Sequence, residues 1–478
     1  MNRDYPRNSS ASCDIVPDGR EHVTKRGCAF RVIFLSAPLG AILLLWSYPL
    51  MRAASQGRAP LDFAAPLYDR DPNHIWNRVH DRLLVRRSSD GVQYGSDTVD
   101  PLLWPNTKFL RRGRSQRLAL ECLDEFLKTH AEKLITEPTK RAVFQHDLWA
   151  VFDWAAAEGR ESAGSQALLK GIAQVMRRVA LRPEQVSALP ETYAAAVASR
   201  EFPAEYDPAN PQRAFLPPDL LQPDGAWVCL TAYSAEPTAI AHFSGRSRFL
   251  VFLRFPDGRQ ATLEYLRKLF TSPEPLFLED TVPNSKLLNL RLPQFPPNTE
   301  VALLRQMIVV DTDGHLLPTA VTESVQLRVY HAVTSGSPYI NYHNGPASRD
   351  QDFFEFRLAR PALFARSGGG LRAVQPAEKE FSPLFSFGID PFENSRKNDW
   401  WIRQPGEILV RCRGCHADSG IHSVQSRERW LGPPPRNRGL GADSPLSRAI
   451  NWETEKTVDR KQQQDNFKIL VRHWHDSG

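Results

Sequence analysis

Val325-Gln326-Leu327-Arg328-Val329-Tyr330 alternates apolar and polar side chains. Successive side chains of a strand point to opposite faces, so this predicts a half-buried β-strand. Phe354, Phe356 and Leu358 alternate with Glu355 and Arg357 in the same way, and Phe249 to Phe255 reads as a strand running into a turn at Pro256-Asp257-Gly258. Between them, Val301 to Val310 followed by Asp311-Thr312-Asp313-Gly314 reads as a strand and a hairpin turn. Asp311 and Asp313 are imaginable calcium ligands, but the other ligands of a calcium loop are missing, which favours a plain turn. Alternation of this kind implies antiparallel pairing, with one face on a core and the other solvated. Ser367-Gly368-Gly369-Gly370 reads as a flexible loop.

Upstream the period changes to that of helices. Leu120, Leu123, Leu127, Ala131 and Leu134 share one face; Thr136 and Pro138 interrupt; Phe144, Leu148, Val151, Phe152 and Ala155 form a second stripe. Leu168, Ile172, Val175, Met176 and Val179 form a third, ending before Pro183. Three amphipathic helices need one another or a sheet to cover them. Pro203, Pro208, Pro211, Pro217, Pro218 and Pro223 then favour an extended connector. At the N-terminus, Val32 to Met51 is a run of twenty uncharged residues, long enough at about 1.5 Å per residue to cross a bilayer as a helix. A cleaved signal peptide is the rival, but Met51-Arg52-Ala53 makes a poor cleavage site.

The expected fold class is α+β and multidomain: a cytoplasmic tail (1–29), a transmembrane anchor (30–52), a helical region (53–200), a proline-rich connector (201–225), an antiparallel β-rich domain (226–395) and a small all-α domain (396–478). The charge balance of 60 basic against 54 acidic side chains is spread along the chain, which argues against a nucleic-acid arm. No H-E-x-x-H, G-x-S-x-G, Walker loop or dinucleotide fingerprint occurs. His242, His331 and His343 are each a candidate ligand or acid–base group, set against the ordinary role of a surface or satisfied core histidine. Six cysteines in 478 residues exclude a disulfide scaffold. Cys122 and Cys229 are free to pair or to remain buried thiols.

The most specific pattern is Cys412-Arg413-Gly414-Cys415-His416, the C-x-x-C-H spacing of covalent c-type haem attachment. Two thiols so spaced can add to the two vinyl groups of one porphyrin, and the histidine after them reaches the iron. Cys412 and Cys415 would carry the thioethers and His416 would be the proximal ligand of a single haem c. Two alternatives stand beside this. A zinc site of Cys412, Cys415, His416 and His422 would crowd adjacent residues around one small tetrahedral ion; a bare Cys412–Cys415 disulfide would need no metal. Haem attachment implies an oxidising compartment, so the bulk of the chain is expected on the periplasmic side of an inner membrane, held by a single N-terminal span.

Trp400-Trp401-Ile402 and Pro405 to Cys412 would place a short helix, with Ile408 and Leu409 apolar, just before the motif. On these residues and the pentapeptide, the stretch from about Asn398 to Gly478 resembles class I c-type cytochromes. The resemblance implies that the motif helix packs on a terminal helix within Glu453 to His475, carrying Val458, Phe467, Leu470 and Val471. It also implies that Gly432-Pro433 supplies a carbonyl to orient the proximal imidazole. One departure matters: no methionine occurs after Met307, so the usual methionine ligand is missing. Candidates for the sixth position are His473, His475, His422, Met307 or another upstream histidine. For His473 and His475 the plain reading is a pair of residues suited to a helix C-terminus. With two strong ligands the iron would pass electrons to a redox partner protein. With an open face it would suit a peroxidase-like enzyme or a sensor of small gases.

Overall fold

The computed structural model describes residues 67–87, 93–99, 109–158, 162–230, 238–239, 242, 244–275, 277–279, 281, 286–333, 349–380, 392, 406–424 and 444–475. Helices α1 (Ile75–Leu84), α2 (Gly113–Lys128), α3 (Pro138–Glu158) and α4 (Ala163–Val179) open the described chain, with a short ladder of β1 (Arg86–Arg87) and β2 (Gln93–Tyr94) between the first two. Helix α4 buries the apolar stripe its sequence predicts, whereas α3 is buried on every side from Ala142 to Ala156. The α2 stripe is rotated from the expected face, burying Ala119, Cys122, Leu123 and Phe126 and leaving Leu134 exposed beyond the helix end. Helices α5 (Pro183–Ser187) and α6 (Thr192–Ser199) come next. The proline-rich stretch is then free of helix, as proline's missing N–H requires, and it buries Phe215, Leu216 and Leu220.

Strands β3 (Val228–Cys229), β4 (Ser247–Arg254), β7 (Thr299–Val310), β8 (Leu316–Tyr330), β9 (Gln351–Leu358) and β10 (Leu371–Ala373) form one antiparallel sheet of six strands, in the order β10-β9-β8-β7-β4-β3. Helix α7 (Gly258–Thr271) and the small ladder of β5 (Phe277–Glu279) with β6 (Lys286–Leu288) fill the crossover from β4 to β7. The expected turn at Pro256-Asp257-Gly258 therefore leads into a helix. After β9 come α8 (Arg360–Phe364), the pair β11 (Lys379–Glu380) and β12 (Gly406–Glu407), α9 (Ile408–Cys415), α10 (Ile421–Val424), α11 (Leu446–Gln463) and α12 (Asp465–His475).

The alternation works in both directions. Leu250, Phe252, Ala302, Leu304, Val325, Leu327, Val329, Phe354 and Phe356 bury one face against α5, α6 and the proline-rich stretch. On the other face Val251, Leu253, Val301 and Tyr330 pack with α7 residues Tyr265 and Leu266 and with Ile421. Both faces of the sheet are covered. The glycine run is also packed: a Cβ on Gly369, at φ +62°, would lie 2.1 Å from the Thr192 carbonyl oxygen. It is a close approach to α6, and not the flexible loop its composition suggests.

Two parts of the expected fold class are corrected. No helix among the described residues is long and apolar enough to cross a membrane; the longest, α3, carries Lys140, Arg141, His146, Asp147 and Asp153 along its length, and residues 30–52, where the sequence predicts a span, lie outside the described residues. The C-terminal segment is also not a free-standing all-α domain, since residues 61–478 form one compact unit. Phe467, Ile469, Leu470 and Trp474 of α12 enter the core of α1 to α4, while Ile408 and Leu409 of α9 pack on Phe353 and Val374 of the sheet side. The two helices that the cytochrome resemblance pairs therefore bury their apolar faces in different cores. A polar stripe on α11 completes the separation. Glu453, Thr457 and Lys461 recur every four residues and are all buried; Glu453 accepts from the Thr238 N–H and hydroxyl, and Lys461 pairs with Asp153, which also binds Arg246.

Candidate functional site

The C-x-x-C-H motif forms the end of α9. Positions 412 and 415 lie one turn apart, and the His416 N–H closes the helix on the Cys412 carbonyl at 3.2 Å. Ile408 and Leu409 anchor the helix in the apolar cluster with Phe353, with Cys412 against its rim. This fixes where His416 starts. The next eight residues fix where its ring points.

Residues 417–424 fold back onto the polar half of the strand alternation. Arg328 and Tyr330 on β8 stand beside Phe353 and Gln351 on β9 in register, so all four share one face. Arg328 donates to the Tyr330 hydroxyl at 2.9 Å and to the Ser423 carbonyl at 3.1 Å, Tyr330 and Ser423 hydroxyls meet at 2.5 Å, and Gln351 donates to the His416 carbonyl at 2.6 Å. Gln294 accepts from the Ile421 N–H at 2.9 Å. Gly420 makes that approach feasible at φ +53°, because a Cβ there would lie 2.1 Å from Gln294 Oε1. Arg328 and Tyr330 are only 4% and 2% exposed, although the alternation marks them as a solvated face. The period of a strand does not say what covers its polar side.

The His416 imidazole is held by Nδ1, 2.7 Å from the Ser423 carbonyl oxygen. A carbonyl only accepts, so Nδ1 carries the proton and Nε2 keeps the lone pair. Burial, then the Arg328 guanidinium and His242, push the imidazole down to about 3, so near neutral pH the ring is uncharged, as a metal ligand must be. The His242 ring lies 6.1 Å away, centre to centre, with the planes 12° apart. The Phe353 ring lies 6.4 Å from that of His416, centre to centre. His242 itself also meets the ring of Phe249 at 6.0 Å.

Cys412 donates its thiol to Glu355 Oε2 at 3.3 Å. Burial and then the Glu355 carboxylate hold this thiol well above the ordinary range. Cys412 is a free thiol here, as are Cys122 and Cys229, which do not pair.

The candidates for a second axial ligand are scattered. His422 is fully buried, with Nδ1 3.2 Å from the Gln294 amide nitrogen. Met307 lies in the apolar core on the other face of the sheet. His473 and His475 belong to α12, where a Cβ on Gly314 would lie 3.9 Å from His475 Nε2. That is the hairpin end of β8, roughly 45 Å along the strand from Tyr330. His331 pairs with Asp352 at 2.7 Å. His343 and the Gly432-Pro433 segment lie outside the described residues; the carbonyl that orients His416 is that of Ser423. Among the described residues, one group of three acid or histidine side chains is close enough to share a cation, namely Asp311, Asp313 and His315, with ligand atoms within 4.8 Å. There Asp311 Oδ1 accepts from the N–H groups of Asp313 and His315 at 2.9 and 2.8 Å, which makes it the expected hairpin turn.

Compared with protein-family models, with curated proteins and with solved structures, the chain matches none.

Proposed function

We propose that the chain is a c-type haem protein that passes electrons, with one haem joined covalently to Cys412 and Cys415 and ligated by His416. The observation that carries this reading is the 2.7 Å bond from His416 Nδ1 to the Ser423 carbonyl. Metal-bound histidines characteristically donate their other ring N–H to a carbonyl or carboxylate, which fixes the tautomer and strengthens the ligating nitrogen. Here that arrangement falls on the histidine of a C-x-x-C-H sequence. When bound, haem supplies a one-electron iron couple. The protein's part is to keep the ligand geometry the same in both oxidation states. Gln294, Arg328 and Gln351 hold backbone groups of the segment around His416, and Tyr330 holds the Ser423 hydroxyl, so the ligand has little freedom to move, which suits electron passage better than substrate turnover. The buried Arg328 cation, whose charge acts on His416, would favour the less positive oxidation state of an iron held there.

Thioether formation places this part of the chain outside the reducing cytoplasm, and the haem implies a redox partner protein. Expression with export and a haem-attachment system tests the reading. Denatured protein should keep its haem through acid–acetone extraction, and Cys412→Ala with Cys415→Ala together should abolish retention. Complete loss of haem from the unaltered protein would overturn the proposal.

A further inference from the structure

From the geometry of two facing imidazoles, we infer that His242 is the second axial ligand of the haem iron, on the face opposite His416; this rests on the haem reading above. The rings of His242 and His416 stand 6.1 Å apart between centres, with planes only 12° from parallel. An imidazole nitrogen bonds a transition metal at about 2.1 Å and lies roughly 1.1 Å from its own ring centre, so two imidazoles on opposite sides of one ion have centres about 6 to 6.5 Å apart. The observed spacing falls in that window. Ser423 holds His416 by Nδ1, which leaves Nε2 as its ligating atom.

The surroundings suit a porphyrin. Phe249 lies beside His242 and Phe353 beside His416, and both phenylalanines are buried on the sheet. His242 enters from the segment before β4, where its N–H closes a tight turn on the Ala239 carbonyl at 2.8 Å. It is thus the upstream chain that reaches over the motif. The other sequence candidates for this position are engaged or far away: Met307 in the opposite core, His422 against Gln294, His473 and His475 at the hairpin end of the sheet.

The test uses the exported, haem-loaded full chain, His242→Ala and His242→Met. Haem staining of the denatured proteins reads attachment, and absorption with electron spin resonance reads ligation. The unaltered protein should be low-spin in both oxidation states, with a ferrous spectrum that carbon monoxide does not shift within minutes. His242→Ala should stain equally yet become high-spin and bind carbon monoxide at once, and added imidazole should restore the low-spin spectrum. His242→Met should raise the midpoint potential. Equal staining with an unchanged low-spin spectrum in His242→Ala would overturn the assignment of His242 while leaving haem attachment intact, as would a carbon monoxide shift as fast in the unaltered protein as in the variant. Absence of stain in the unaltered protein would overturn the haem reading itself, and this inference with it.

Discussion

Replacing Gly420 by alanine probes the segment that aims the Ser423 carbonyl at His416. Gly420 sits at φ +53°, and an added Cβ would lie 2.1 Å from Gln294 Oε1 and 2.9 Å from Val333 Cγ1. A left-handed conformation costs an alanine about 1–2 kcal/mol. Displacing Gln294 also removes its bonds to the Ile421 N–H and to His422 Nδ1, worth about 1 kcal/mol each. Gly420→Ala should therefore lose about 3–4 kcal/mol of stability. The double variant separates the parts. In a Gln294→Ala background the main clash and both bonds are already gone, so Gly420→Ala should add little beyond its backbone strain and the Val333 contact, giving a coupling of about 1–2 kcal/mol. Urea melts of the four proteins, monitored by tryptophan fluorescence, measure this. The same cost in both backgrounds, or no cost in either, would show that Gln294 is not what the added methyl displaces.

Two further perturbations address the buried charges that join α11 to the rest of the fold. Asp153→Ala leaves the cations of Arg246 and Lys461 buried without their shared partner and should cost about 3–5 kcal/mol, whereas Lys461→Met, which leaves the Arg246–Asp153 pair in place, should cost less in the same denaturant melts; a reversed order would contradict the assignment. Burial raises the Glu453 carboxyl to about 7, opposed by the bonds from Thr238, so the folded state keeps a proton that the unfolded chain has released. Stability should then fall as pH rises from about 4.5 to about 7, by up to roughly 3 kcal/mol. Glu453→Gln should flatten this part of the pH profile, and an identical slope in variant and parent would remove Glu453 as its source.

Much of the fold is legible in the sequence because burial tracks period. The alternation at 325–330 and 354–358 gives two central strands of the sheet, and the stripes at 144–155 and 168–179 give α3 and α4. What period cannot supply is the identity of the covering element. Arg328 and Glu355 look like solvated positions and are instead the floor under the motif segment. Phe467 and Leu470 announce a helix without saying that its core is α3 and α4. Nothing in the spacing of Glu453 and Lys461 reveals partners more than 200 residues away at Thr238 and Asp153. At the candidate site, C-x-x-C-H is explicit, whereas the Ser423 carbonyl is backbone and has no letter of its own. His242 had a weak signal, a histidine just upstream of a strand, and only the chain's path sets it opposite His416.

Haem attachment is read most simply from the intact mass of the denatured, exported chain together with peptide mapping across the motif. The expected mass exceeds that of the polypeptide by one haem, with the increment on the peptide holding Cys412 and Cys415. A colourless protein of polypeptide mass, with both thiols free or joined to each other, would rule out the attachment on which the haem reading stands.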